Sequence, residues 1–200
     1  MPQSGVSWVT QFPTSTRVND LEHLFRSRVA GFLDALTAAR ARVQITATLR
    51  PPQRAYLMHY AWCIARQWQG TNPATVPRYQ PYAGHMTTVD IQWLHRNSAG
   101  QPDIPASRNA AQRMVQAFGI IHLGVPPALN SLHIRGQAID MLISWHSQLS
   151  VIDAHGHIVQ IDSAPRDGTN AELIRVGASY GVIHLINVHH DPPHWSINGH

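Results

Sequence analysis

The stretch Ser131-Leu132-His133-Ile134-Arg135-Gly136-Gln137-Ala138-Ile139-Asp140-Met141-Leu142-Ile143-Ser144 joins a polar, glycine-hinged segment to an apolar run. Ala138 to Ser144 reads as a strand, and Asp140 is set inside it. An ionised carboxylate in such a run is costly unless a cation or several donors meet it. A metal ion is one such cation. A core arginine is another, and in that case His133 is only a loop histidine. Glycine tolerates the sharp change of direction that would bring His133 beside Asp140, so Gly136 makes the pairing sterically possible.

Toward the C-terminus the next informative stretch is His189-His190-Asp191-Pro192-Pro193-His194-Trp195-Ser196. His190 and His194 have the spacing of a helical metal pair, but two prolines between them forbid a helix. The segment is therefore expected to be extended and to enter a strand near His194. Asp191 and His194 can then share the mouth of a site, presented by a stiff Pro-Pro turn. A histidine-rich surface tail is the competing reading of the same letters. His189 and His190 are candidates for supporting or substrate contacts.

The rest of the chain sets the frame. Leu21, Leu24, Phe25, Val29, Phe32, Leu33 and Leu36 recur at helical steps, which predicts a helix from a cap at Asn19 or Asp20 to about Arg40. Val43, Ile45, Ala47 and Leu49 alternate with polar residues as in a half-buried strand. Pro51-Pro52 opens a second helix to about Trp68, since proline suits a first turn. Further helices are expected at 88–95, at 107–118 with Ser107 as cap, and from Thr169 or Asn170 to Tyr180. Leu149–Ile161 reads as a hairpin turning at Asp153-Ala154-His155-Gly156, and Val182–Val188 and His194–Ile197 as closing strands. Helices followed by a strand-rich half predict an α+β fold, an antiparallel sheet with helices packed on one side. Residues 1–17 read as an N-terminal arm anchored by Trp8 or Phe12, and residues 18–200 as a single domain.

Composition narrows the function classes. The chain has 200 residues, 44% of them hydrophobic, which suits a globular protein with a sizeable core. The single cysteine, Cys63, excludes an internal disulfide and a cysteine-built zinc finger. Any metal must then be held mainly by histidine and carboxylate. All 15 basic residues are arginines and they are scattered, so no nucleic-acid-binding tract is expected. The formal charge of +4 favours encounter with polyanions such as a bacterial cell wall. No apolar run approaches the roughly 20 residues of a membrane span. Met1-Pro2-Gln3-Ser4-Gly5 lacks the pattern of a Sec signal peptide, so synthesis in the cytoplasm without Sec export is expected.

The two key stretches together resemble the zinc D-alanyl-D-alanine peptidases, metallopeptidases that share their fold with the Hedgehog signalling domain. The family pattern Ser-x-His-x-x-Gly-x-Ala-x-Asp is matched in full by Ser131, His133, Gly136, Ala138 and Asp140. The later pattern Glu-x-x-His-Trp is matched by Asp191-Pro192-Pro193-His194-Trp195, with Asp in place of Glu. Leu49-Arg50-Pro51-Pro52 resembles the Tyr-Arg-Pro element of the vancomycin-resistance dipeptidases, here also between a strand and a helix. The three elements keep the family order across residues 50–195.

The resemblance implies a Hedgehog/DD-peptidase-like zinc peptidase domain. Zn2+ would be held by His133, Asp140 and His194, leaving the open position of a catalytic site. It implies Asp191 as the general base and Arg50 as the oxyanion partner. Ser131, His190 and Trp195 would support the site or touch substrate. No base is motif-linked to Ser131, so it is not read as a nucleophile. The implied substrates are peptidoglycan stem peptides, cut as a D,D- or L,D-carboxypeptidase or endopeptidase. Such an enzyme would act in the periplasm or cell wall, as a phage endolysin or a type VI secretion effector, and an effector needs a cognate immunity protein. A cytoplasmic D-Ala-D-Ala dipeptidase is a further option. Outside enzymes, the alternative is a non-catalytic zinc-binding interaction domain of the Hedgehog-like branch. The Asp-for-Glu exchange is a definite departure. Glu22 and Glu172 are the only glutamates, and neither precedes a candidate ligand histidine.

Overall fold

The computed structural model describes residues 1–81, 87–187 and 191–200. Among the described residues the class is α+β, with four α-helices and an antiparallel sheet. The chain divides into two compact units, residues 14–50 with 131–200, and residues 1–13 with 51–130.

The first of these carries the sheet. Its strands are β1 (Arg42–Ala47), β4 (Ala138–Ser144), β7 (Ile183–His184) and β8 (His194–Ser196), in the order β1-β4-β8-β7 and all antiparallel. Strand β4 obeys period two. Ile139, Met141 and Ile143 turn into one core with Trp195, and Asp140 and Leu142 face the other way. Helices α1 (His23–Ala38) and α4 (Ala171–Ser179) close that core with Phe25, Val29, Phe32, Leu36, Leu173 and Val176. The hairpin of β5 (Leu149–Ile152) and β6 (Ile158–Ile161) adds Leu149, Val151 and Ile161.

Helix α1 starts later than its hydrophobic repeat suggests. Val18–Asp20 is a 3-10 turn, and the cap is Glu22, whose carboxylate accepts from the Leu24 and Phe25 N–H groups. Helix α4 is capped as expected by Asn170, whose side-chain oxygen accepts from the Glu172 and Leu173 N–H groups. Gly177 lets α4 lie close to the sheet, because a Cβ there would stand 2.5 Å from the Trp195 ring.

The other unit is built on α2 (Pro52–Arg66) and α3 (Ile104–Ala117), whose Leu57, Ala61, Ile64, Ala111, Met114 and Val115 share a core with Trp8, Trp62 and Trp93. Trp8 is thus the aromatic anchor of the N-terminal residues, buried to 5% exposure. The α3 cap is Asp103, not Ser107, which is buried inside the helix. The helix expected at 88–95 does not form. Val89, Ile91 and Trp93 are buried alternately, an extended pattern, and Gln92 exchanges backbone hydrogen bonds with Pro2 and Ser4. Short strands β2 (His95–Arg96) and β3 (Pro102–Asp103) follow. Among the described residues no helix is long and apolar enough to cross a membrane.

Candidate metal centre

Three elements bring three ligand atoms to one point. His133 sits in a 3-10 turn, Leu132–Arg135, which ends at Gly136 with φ of 66°. Asp140 lies mid-strand on β4, on the face away from the core. His194 opens β8 directly opposite Asp140 in the antiparallel register. His133 Nε2 is 3.1 Å from Asp140 Oδ1, His194 Nδ1 is 3.1 Å from the same oxygen, and the two nitrogens are 3.2 Å apart. His133 is buried and the other two are partly so.

The far nitrogen of each ring decides what this triangle is. His133 Nδ1 lies 2.8 Å from the Thr48 carbonyl oxygen, and His194 Nε2 lies 3.2 Å from the main-chain oxygen of His200. The far-side oxygen and the Asp140 carboxylate both only accept, so each ring lies between two acceptors, and an N–H given to the far side leaves a lone pair on the near side. In that tautomer both lone pairs point at the Asp140 carboxylate. Three electron-rich atoms within 3.2 Å repel one another unless a cation lies among them. A proton on one ring bridges it to one neighbour at a time, while a metal ion can meet all three. The triangle also has the right size. Ligand atoms at about 2.0–2.1 Å from zinc in a tetrahedral site stand about 3.3–3.4 Å apart. The donor set of two imidazoles and a carboxylate, each ring fixed by a main-chain carbonyl, therefore fits a metal ion.

Asp140 also responds to the two rings when they carry protons. Burial by itself would raise the Asp140 carboxyl, but hydrogen bonds and positive charge from His133 and His194 outweigh it and hold the group well below the carboxylate range. Burial would lower His194, and Asp140 overrides that and raises it. Burial is also the chief influence on Arg50, pulling its guanidinium below the ordinary value, while Asp140 and Asp191 oppose it. Arg50 and Asp191 thus lie within electrostatic reach of the cluster, and Asp191 also acts on His194. Arg50 Nε is buried with no hydrogen-bond partner among the described residues, and so is Ser131 Oγ.

The Asp191-Pro192-Pro193-His194 turn is pinned at each carbonyl. Asp191 O accepts from the His194 N–H (3.0 Å), Pro192 O from the His184 ring (2.8 Å) and Pro193 O from the Met141 N–H (2.8 Å). Prolines have no N–H to offer, so only their carbonyls can tie the turn down.

Comparison with family profiles, curated proteins and solved structures finds no match.

The residues singled out from sequence fare differently. His133, Asp140 and His194 converge, with Arg50 and Asp191 within electrostatic reach. Ser131 starts the 3-10 turn, but its hydroxyl does not cap it; the support comes from its carbonyl, which accepts from the Ile134 N–H. Trp195 is no substrate contact. It is fully buried on the core side, 5.4 Å from the Phe32 ring and 4.7 Å from the His184 ring, because neighbours on a strand face opposite ways. His190 falls outside the described residues. Neither glutamate approaches the cluster: Glu22 caps α1, and the Glu172 carboxylate accepts from the Ser163 hydroxyl. Thr48 carries a role that its sequence position does not signal, since it acts through its main-chain oxygen, and His184 uses its ring to hold the Pro192 carbonyl.

Proposed function

We propose that this protein is a zinc peptidase of the Hedgehog/DD-peptidase-like fold that hydrolyses peptide bonds in peptidoglycan stem peptides. The single observation that carries the reading is the meeting of three lone-pair donors beside one arginine and one further acid. His133, Asp140 and His194 would hold the ion, and three protein ligands are the number used by catalytic rather than structural zinc. When bound, zinc supplies Lewis acidity, which polarises a carbonyl and makes water a nucleophile at neutral pH.

The remaining chemistry belongs to the chain. An Asp191 carboxylate oxygen takes the proton of the attacking water and returns it to the leaving amine. The Arg50 guanidinium stabilises negative charge on the carbonyl oxygen, and its buried position strengthens that interaction by excluding water. Asp140 neutralises part of the positive charge and keeps both rings oriented. With Asp for Glu, the base is one methylene shorter, and the pinned Pro-Pro turn supplies the reach. The positive net charge suits an anionic wall as the site of action, reached by phage lysis or by specialised secretion, and in the latter case with an immunity protein as partner.

The test is digestion of purified muropeptides with product masses read by mass spectrometry, in zinc, in chelator and with His133→Ala. Loss of one stem-peptide bond in zinc alone supports the proposal, and the masses name the bond. Bound zinc with intact muropeptides would instead point to the non-catalytic binding domain. A protein that takes up no zinc is neither.

A further inference from the structure

We infer that Ser15–Glu22, the segment that leads into α1, is a positioning strap for His133, with Ser15 and Thr48 as the positioning residues. The inference rests on reading His133 as a metal ligand. The ring of His133 is aimed by the Thr48 carbonyl at 2.8 Å, so whatever fixes Thr48 fixes the ligand. The sheet does not do so. Pairing between β1 and β4 runs irregularly from Ile45 to Ala47 and stops there, one residue short of Thr48.

Ser15 takes over where the ladder ends. Its carbonyl accepts from both the Thr48 N–H (2.7 Å) and the Thr48 hydroxyl (3.0 Å), and its own N–H donates to Leu49 O (2.9 Å). Thr48 is fully buried, so these bonds have no competing water. Ser15 is locked in turn. Its hydroxyl donates to Asp20 Oδ2 (2.6 Å) and accepts from the Arg17 N–H (3.0 Å), and the Arg17 guanidinium grips both Asp20 oxygens.

The other end of the strap holds the turn that carries His133. The Glu22 N–H donates to Gly136 O at 2.9 Å. A Cβ at Gly136 would stand 2.8 Å from Glu22 N and 3.2 Å from Asp20 O, so the contact requires glycine for room as well as for its positive φ. The Arg50 N–H completes the grip by donating to His133 O (3.1 Å). One segment thus fixes both the acceptor behind the ring and the backbone of the ring, which holds Nε2 toward Asp140.

The experiment uses the full chain with Ser15→Ala, Thr48→Val and the conservative Ser15→Thr, and Asn170→Ala as a destabilised variant away from the cluster. Two quantities are read: zinc affinity by competition with a chromophoric chelator, and the His133 tautomer by imidazole 15N shifts in zinc-stripped protein. Ser15→Ala and Thr48→Val are expected to weaken zinc binding about 10-fold, within the range for groups that orient a ligand, and to introduce the Nε2–H tautomer. Ser15→Thr should restore both, and Asn170→Ala should lower thermal stability alone. The inference is overturned if Ser15→Ala behaves like Asn170→Ala, with affinity within about two-fold of wild type and one tautomer. Ser15 is partly exposed, so its variant can fold even if Thr48→Val does not. A wild-type chain that binds no zinc defeats the metal reading itself, and the tautomer still reports on the strap.

Discussion

His133 Nε2 and Asp140 Oδ1 face each other at 3.1 Å, while the opposite nitrogen of the same ring is committed to the Thr48 carbonyl. An N–H given to the far side leaves two electron-rich atoms in contact on the near side. His194 repeats the arrangement against the same oxygen. This relationship marks the site as a cation's place more directly than the abundance of histidine does.

Replacing the shared oxygen donor tests it first. Asp140→Asn keeps the shape and removes the charge, so zinc should no longer raise the melting temperature. In the wild type, zinc at about 100 times its Kd would add about 2.7 kcal/mol, a shift of several degrees by scanning fluorimetry. An equal shift in the variant would remove Asp140 from the ligand set.

The acid beside the cluster should separate binding from turnover. Asp191→Asn should leave zinc content unchanged and lower kcat by about 10²–10⁴, the usual share of a general base. Zinc analysis and stem-peptide hydrolysis on one preparation read both. Unchanged turnover would give the role to another group.

Stability against pH in chelator carries a definite sign. His194 is raised above its ordinary 6.5 by Asp140, after burial has pulled the other way. A raised histidine contributes stability below pH 6.5 and loses it as pH climbs through the folded value. Asp140 is depressed below 3.8, so its contribution is present above that pH and is lost as pH falls through the folded value. The zinc-stripped protein should therefore be most stable in mild acid and soften through neutrality. Asp140→Asn should flatten that slope in melting temperatures measured from acid to alkaline pH.

Packing beneath the site gives the fourth expectation. Gly177→Ala would put a methyl group 2.5 Å from the Trp195 ring and 3.0 Å from Val182 O. The backbone oxygen cannot yield as a side chain could, so overpacking should cost about 1–3 kcal/mol, seen in denaturant midpoints. Trp195 follows His194 on β8, so weaker zinc binding should accompany the loss.

Much of the site was readable along the chain, because spacing and turn chemistry are local properties. Gly136 between His133 and an acid inside an apolar run, and two prolines before His194, carry their meaning in a few residues. The helix expected at 88–95 failed because Val89, Ile91 and Trp93 also fit period two, and only pairing of Gln92 with Pro2 and Ser4 decides between the periods. Trp195 reads from sequence as a core aromatic or, by adjacency to His194, as part of the site, and strand alternation sends it to the core.

The sequence alone determined the ligand types, their order and the absence of any cysteine alternative, since these depend on which residues are present and how far apart they lie. Tertiary structure alone decided that β8 pairs with β4 in the register that sets His194 opposite Asp140. It also decided which acceptor lies behind each histidine ring. Those acceptors are the main-chain oxygens of Thr48 and His200, and a carbonyl is common to every residue, so no letter in the sequence announces them.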